Sequence, residues 1–496
     1  MTVIAVAAAG CGAGSSSGSG AENRIVIAQS SDPGSLNVTV RDNRAEMNVS
    51  ENVTERLLRF DPEATGFEPV LATSWKQIDP LTVELKLREG VKFTNGEPFN
   101  AESAVYSLDL VRNANPYKSM LQPITTVEAV DDYTIRVKTQ RPSPLVMNGL
   151  AYSSYQFPKK YYTEVGGEKF GVEPIGTGPF VLKKWNRGES IQMTANPDYW
   201  AGKAKYDELD FKIIPDPSSQ IAALQSGEVD LVAKVEVGSF DAVASGSNST
   251  LVSRPGMRCV ALVFNQRYKS PLSNPKVRQA LWHAIDVRSL IDQQLGGKGE
   301  LLEGQMVTPN FTGYVPDTPA SVYDFDPDKT KQMLAEAGYP DGFTIDFKYA
   351  IGLFPQDKEI AQVIAGQLEK VGIKVKQTGL EAGAFLTEHN AHTLRDMYMV
   401  GYLPPPDASF MYDVWRPGPD AVYQDAEFGR LLDETYSVAD PDKRQKVFEQ
   451  LVDRLREDPP WVPLFQSADN YGVSKRITGF TPHATQLIVP YELEIK

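Results

Sequence analysis

Three times along this chain an acidic or amide residue followed by proline opens an apolar stripe of helical period, at Asn274-Pro275, Asp326-Pro327 and Asp440-Pro441. The short polar side chain accepts from the first-turn amides, and the fixed φ of proline suits the first helical position. Behind the three starts come Val277, Ala280, Leu281, Ala284 and Ile285, then Met333, Leu334 and Ala337, then Val447, Phe448, Leu451, Val452 and Leu455. Gly338 and Gly372 sit where a left-handed C-cap would end a preceding helix. Elsewhere the apolar period drops to two, in residues 83–87, 134–138, 344–348 and 373–376, which marks half-buried strands. Alternating helix and strand signals predict an α/β fold with helices packed on mixed sheets.

Length and composition narrow the function. A chain of 496 residues exceeds a single core, so two or more folding units are expected. No apolar run approaches the ~18 to 20 residues needed to cross a bilayer. The net charge of -14 is spread along the chain and argues against a nucleic-acid partner, which requires clustered Lys and Arg. Cys259 lies in the apolar run 257–264 and is expected to be a buried thiol, with no disulfide to Cys11.

Catalytic signatures fail on context. Gly14-Ser-Ser-Ser-Gly18 has the spacing of a nucleophile elbow but lies in a Gly/Ser run, with no strand before it or helix after it. His389 and His392 stand three apart without the Glu of a zinc-binding helix, in a chain with four histidines. Neither a phosphate loop nor a Gly-x-Gly-x-x-Gly turn occurs. The expectation is no enzyme activity, no metal and no cofactor.

The amino terminus points outward from the cell. Residues 3–9 are small and apolar, and Ala8-Ala-Gly-Cys11 reads as a lipobox that makes Cys11 the lipidation site. Residues 12–23 form a Gly/Ser tether. Only ten residues precede Cys11 and none is basic, whereas an export signal carries a basic n-region and an apolar core of roughly 7 to 15 residues. The true start is therefore expected upstream of Met1.

Longer motifs carry a family resemblance. One segment reads Leu71-Ala-Thr-Ser-Trp75, then Leu85-Lys-Leu-Arg-Glu-Gly-Val-Lys-Phe93, Asn95-Gly-Glu-Pro-Phe99 and Ala101-Glu-Ser-Ala-Val-Tyr-Ser107. A second reads Gly176-Thr-Gly-Pro-Phe-Val-Leu182 and Asn196-Pro-Asp-Tyr-Trp200. Gln225-Ser-Gly-Glu-Val-Asp230, Asn274-Pro-Lys-Val-Arg-Gln-Ala280 and Leu334-Ala-Glu-Ala-Gly-Tyr339 extend the match over nearly everything after residue 24. These segments resemble the extracytoplasmic solute-binding proteins of family 5, which feed peptide, nickel and oligosaccharide ABC importers.

The resemblance implies a two-lobed periplasmic-binding-protein-like (Venus flytrap) fold with an extra subdomain inserted in the first lobe. On that pattern lobe 1 spans 24–260 plus 469–496, with the insert at about 46–168, and lobe 2 spans 266–468. The hinge strands are expected in 260–265 and 463–471. A lipid-anchored monomer outside the cell would then close on a solute and present it to permease subunits.

Candidate ligand residues follow from the same framework: Ser30, Ser31 and Asp32 at the end of the first strand, Tyr152, Ser153 and Tyr155, Arg258 before the first crossing strand, and Tyr402, Asp407 and Phe410 in a proline-rich loop. In peptide-binding relatives that loop supplies an acidic residue for the ligand's ammonium. Here the position falls at about Tyr402, which has no charge. Arg258 is the candidate for an anionic group, because a guanidinium binds carboxylate at two points. A short peptide leads among expected solutes, with a metal chelate, an oligosaccharide or another small organic molecule beside it. A chaperone-like or scaffold surface protein is the alternative class.

Overall fold

A computed structural model describes residues 23–40, 44–316 and 324–496. Cys11 and residues 12–22 of the tether lie outside them.

The expected helix starts form as the sequence reads. Asn274, Asp326 and Asp440 accept from the backbone amides of Lys276, Lys329 and Lys443, opening the helices Pro275–Trp282, Pro327–Glu336 and Pro441–Glu457. Gly338 and Gly372 take φ of 95° and 90° just past helix ends, a conformation that favours glycine. The stripe from Val277 to Ile285 does not lie on one helix. The helix stops at Trp282, and Asp286 caps a new one, Val287–Gln294, through the amide of Ser289. The four period-two segments become the strands Thr82–Leu87, Thr134–Thr139, Phe343–Ile351 and Ile373–Glu381.

Two long antiparallel strands, Ser249–Phe264 and Trp461–Ser474, form the spine of an eleven-stranded sheet among the described residues. On one side lie Leu231–Val232, Arg24–Gln29, Glu208–Ile213, Ser190–Ala195 and Phe180–Asn186. On the other lie Met397–Tyr402, Phe343–Ile351 and Ile373–Glu381, and the short strand Gly299–Leu301 branches off the path by pairing with Trp461–Ser474. The spine's register slips where the two sides meet. Pro255 pairs with Ala468 and Cys259 with Gln466, so Gly256, Met257 and Arg258 face Ser467 alone. Such a bulge bends a strand and breaks its ladder, which makes this the crossing point between the two halves. It lies a few residues before the apolar run 260–265 in which the sequence suggested a hinge.

Side-chain parity on the first crossing strand divides the second half's core. Val260, Leu262 and Phe264 join Phe347, Ile364 and Leu464 on one face. Cys259, Ala261 and Val263 join Tyr398, Val400, Trp415 and Trp461 on the other. That second cluster continues into the inserted region, whose four-stranded antiparallel sheet contributes Leu85 and Ile135. Cys259 is a fully buried free thiol, and burial pushes its ionisation well up.

Candidate ligand cleft

A cavity of about 290 Å³ opens beside the register slip. The first half supplies Gln29 and Ser30 at the end of the first strand, Asn48 from the helix Arg44–Ser50, and Lys234 and Glu236. The second half supplies Leu353, Phe354 and Pro355 from the loop after Phe343–Ile351. Between them the crossing strands contribute Arg258 and residues 467–471, including Asp469 and Asn470. Gln486 of the carboxyl-terminal segment donates to Asp469 Oδ1 at 2.5 Å. Both signs of charge and several amides thus face one void.

Arg258 is the charged sequence candidate among the cavity's lining residues. It is half-buried and donates from Nη1 to the Gly401 carbonyl at 3.2 Å. Of Ser30, Ser31 and Asp32, which the sequence offers together, Ser30 alone lines the cavity. Asp32 instead holds the hairpin 180–195, accepting from Trp185 Nε1 at 2.8 Å and the Gly188 amide at 2.9 Å. Ser31 is exposed, and its carbonyl takes the Gln29 amide.

Other candidates are committed elsewhere by geometry. Tyr402 pairs in register with Cys259, so its ring lies on the strand face opposite that of Arg258. There it meets Trp415 edge-on at 5.1 Å between centroids and His389 Nε2 at 3.1 Å, and burial pushes its hydroxyl well above the tyrosine range. Asp407 is a buried counter-ion: both oxygens receive Arg444 Nη atoms at 2.7 and 2.8 Å, and Oδ1 caps the helix Ala408–Asp413. Phe410 packs edge-on against Tyr436.

Ser153 donates back to the Gly149 carbonyl within its helix. Tyr155 is fully buried and bonds Glu51 and Arg56, with Tyr117 against its ring. Tyr152 packs on Tyr117. The aromatic segment expected to line the cleft is therefore taken up by its own local contacts, and none of its three candidates lines the cavity.

The motif segments prove to be joinery. Glu97 accepts from the amides of Lys160 and Tyr161, capping the helix Lys159–Phe170, and the Thr94 amide bonds the Gly176 carbonyl. A Cβ on Gly176 would stand 1.8 Å from the Val53 carbonyl oxygen, so only glycine permits that approach. Tyr199 and Trp200 donate to the buried Glu55 carboxyl at 2.8 and 3.0 Å. Burial raises Glu55 to about 7, against the pull of these hydrogen bonds. Sequence reasoning missed Asn48, Lys234, Asp469 and Gln486, which lack motif context and meet only in the folded chain.

A cavity shared by two halves of a sheet and flanked by both crossing strands defines a two-lobed solute-binding protein. The chain belongs to the bacterial extracellular solute-binding proteins, family 5, whose Middle model matches residues 66–421. It is 29% identical over 466 residues to heme-binding protein A of Haemophilus influenzae, covering 87% of this chain and 84% of that one. It is 28% identical over 473 residues to glutathione-binding protein GsiB of Pectobacterium atrosepticum, covering 92% and 91%. The structure of the oligopeptide-binding protein AppA of Bacillus subtilis, in complex with a nonapeptide, superposes with a TM-score of 0.78 at 26% identity, covering 95% of this chain and 99% of that one. The protein is thus an extracytoplasmic receptor that serves an ABC importer and does no chemistry on its solute. Among the described residues no helix is long and apolar enough to cross a membrane.

Proposed function

We propose that the solute is a short peptide or a peptide-like zwitterion carrying a free carboxylate. The observation that supports this is the mixed charge around one small void: Lys234 and Arg258 against Glu236 and Asp469, with amides between them. A zwitterion needs a partner of each sign when it leaves water, because an unpaired buried charge is costly. Binding by residues of both halves favours the closed form and shifts the population toward it, and that shift signals occupancy to the permease. The glutathione and oligopeptide relatives fit such a ligand. Asp469, on the second crossing strand, stands in for the acidic group absent at Tyr402.

In this reading residues 24–260 with 469–496 form one lobe and 266–468 the other, and the monomeric receptor is tethered through lipid on Cys11. Mass spectrometry of the purified protein under native and then denaturing conditions tests the ligand. Released peptides of varied side chains, or glutathione, would support the proposal. A released heme or other non-peptide solute would overturn it. An empty protein would go to calorimetry with glutathione, tripeptides and hemin, where binding of hemin alone would also overturn it.

A further inference from the structure

We infer that Gly401 is the residue that positions Arg258, and that this pair sets the cleft's selectivity for a carboxylate. The inference rests on the proposed reading of the cleft. Gly401 lies inside the strand Met397–Tyr402, directly opposite Val260 on the crossing strand. Its φ is not among the left-handed ones, so no turn demands glycine there. Glycine weakens a strand interior and, without a turn to explain it, marks a place where another group comes close.

That group is the stem of Arg258. A Cβ at position 401 would stand 3.2 Å from Arg258 Cδ, 3.3 Å from Cγ and 3.4 Å from Phe354 Cδ1. Phe354, which is buried, would be in ordinary contact, while the arginine stem would have to give by a few tenths of an ångström. Parity supports the same picture: Arg258 and Val260 share one strand face, and Val260 faces Gly401. The stem therefore lies in a slot made by a missing side chain, and the Gly401 carbonyl fixes the guanidinium through Nη1 at the wall of the cavity. A fixed planar fork at a wall that also carries Glu236 and Asp469 suits a singly charged carboxylate better than a multiply charged anion.

The test uses calorimetry with trialanine and its carboxyl-terminal amide, on wild type and on Gly401→Ala, Gly401→Val, Arg258→Gln and Arg258→Lys. Wild type should bind the free acid at least tenfold more tightly than the amide. Gly401→Ala and Arg258→Gln should reduce that preference to threefold or less, and Arg258→Lys should keep part of it. An unchanged preference in Gly401→Ala would overturn the inference. If wild type binds neither probe nor glutathione, the peptide reading fails. Crystal structures of ligand-free wild type and Gly401→Ala then still decide the positioning claim: a guanidinium displaced from the residue 401 carbonyl upholds it, and an unmoved one overturns it.

Discussion

Arg444 and Arg258 show two ways of using an arginine. Arg444 is enclosed: Asp407 grips it at two points, and Thr435 O and Ser409 Oγ take further N–H groups at 2.7 and 2.8 Å. Arg258 is half-buried at the edge of a void that both halves of the sheet share. In the first region polar groups satisfy one another, so they report on folding. In the second they stand where the two halves of the sheet meet, so they report on what enters between those halves. Position in a family motif does not separate the two roles, since Asp407 sits in the motif loop and is structural.

The largest effect should come from breaking the enclosed pair. Asp407→Ala leaves Arg444 buried without its counter-ion and should cost about 3 to 5 kcal/mol in urea unfolding. An Asp407→Leu, Arg444→Met double variant should recover most of that loss. A single variant as stable as wild type would erase the distinction between the regions.

Two buried groups should give stability opposite slopes with pH. Glu55 is raised to about 7 by burial, so its contribution is full below about 4.5 and is lost as pH rises through 7. Glu55→Gln should therefore be more stable than wild type at pH 8 by up to about 3 kcal/mol, and equal to it near pH 4.5. His483, fully buried, is lowered to about 4 by burial first and then by Arg59 and Arg254. Its contribution is present above about 6.5 and is lost as pH falls toward 4, by about 3 kcal/mol. Denaturation of His483→Leu across that range should show a flatter acid limb.

The smallest stability change belongs to the cavity. Arg258→Gln should stay within about 0.5 kcal/mol of wild type in unfolding. It should nonetheless lose about tenfold in affinity for trialanine by calorimetry. A large unfolding penalty would move Arg258 into the enclosed class.

Local rules carried the fold far. The three capped helix starts, the two left-handed glycines and the four alternating strands are all short-range devices, legible because cap, turn and period act within a few residues. The site is less legible because it depends on parity and partners. Nothing near Tyr402 says that its ring turns toward Trp415 and away from Arg258; that follows from pairing with Cys259, more than a hundred residues earlier. Asp407 looks like a ligand group until Arg444 is seen beside it. Asp469 and Gln486 become visible only when the carboxyl-terminal segment returns to the crossing strands.

That return also orders assembly. The first strand, Arg24–Gln29, is flanked by Glu208–Ile213 and Leu231–Val232, and the last of these pairs in turn with Trp461–Ser474. Arg476 then donates to the Arg24 carbonyl and pairs with Asp230. The half of the sheet begun by the earliest described residues thus remains unfinished until almost the last have emerged. A chain threaded through an export channel from its amino end would stay open at that edge throughout its passage, and would gain its solute-holding shape only after the whole of it had arrived outside.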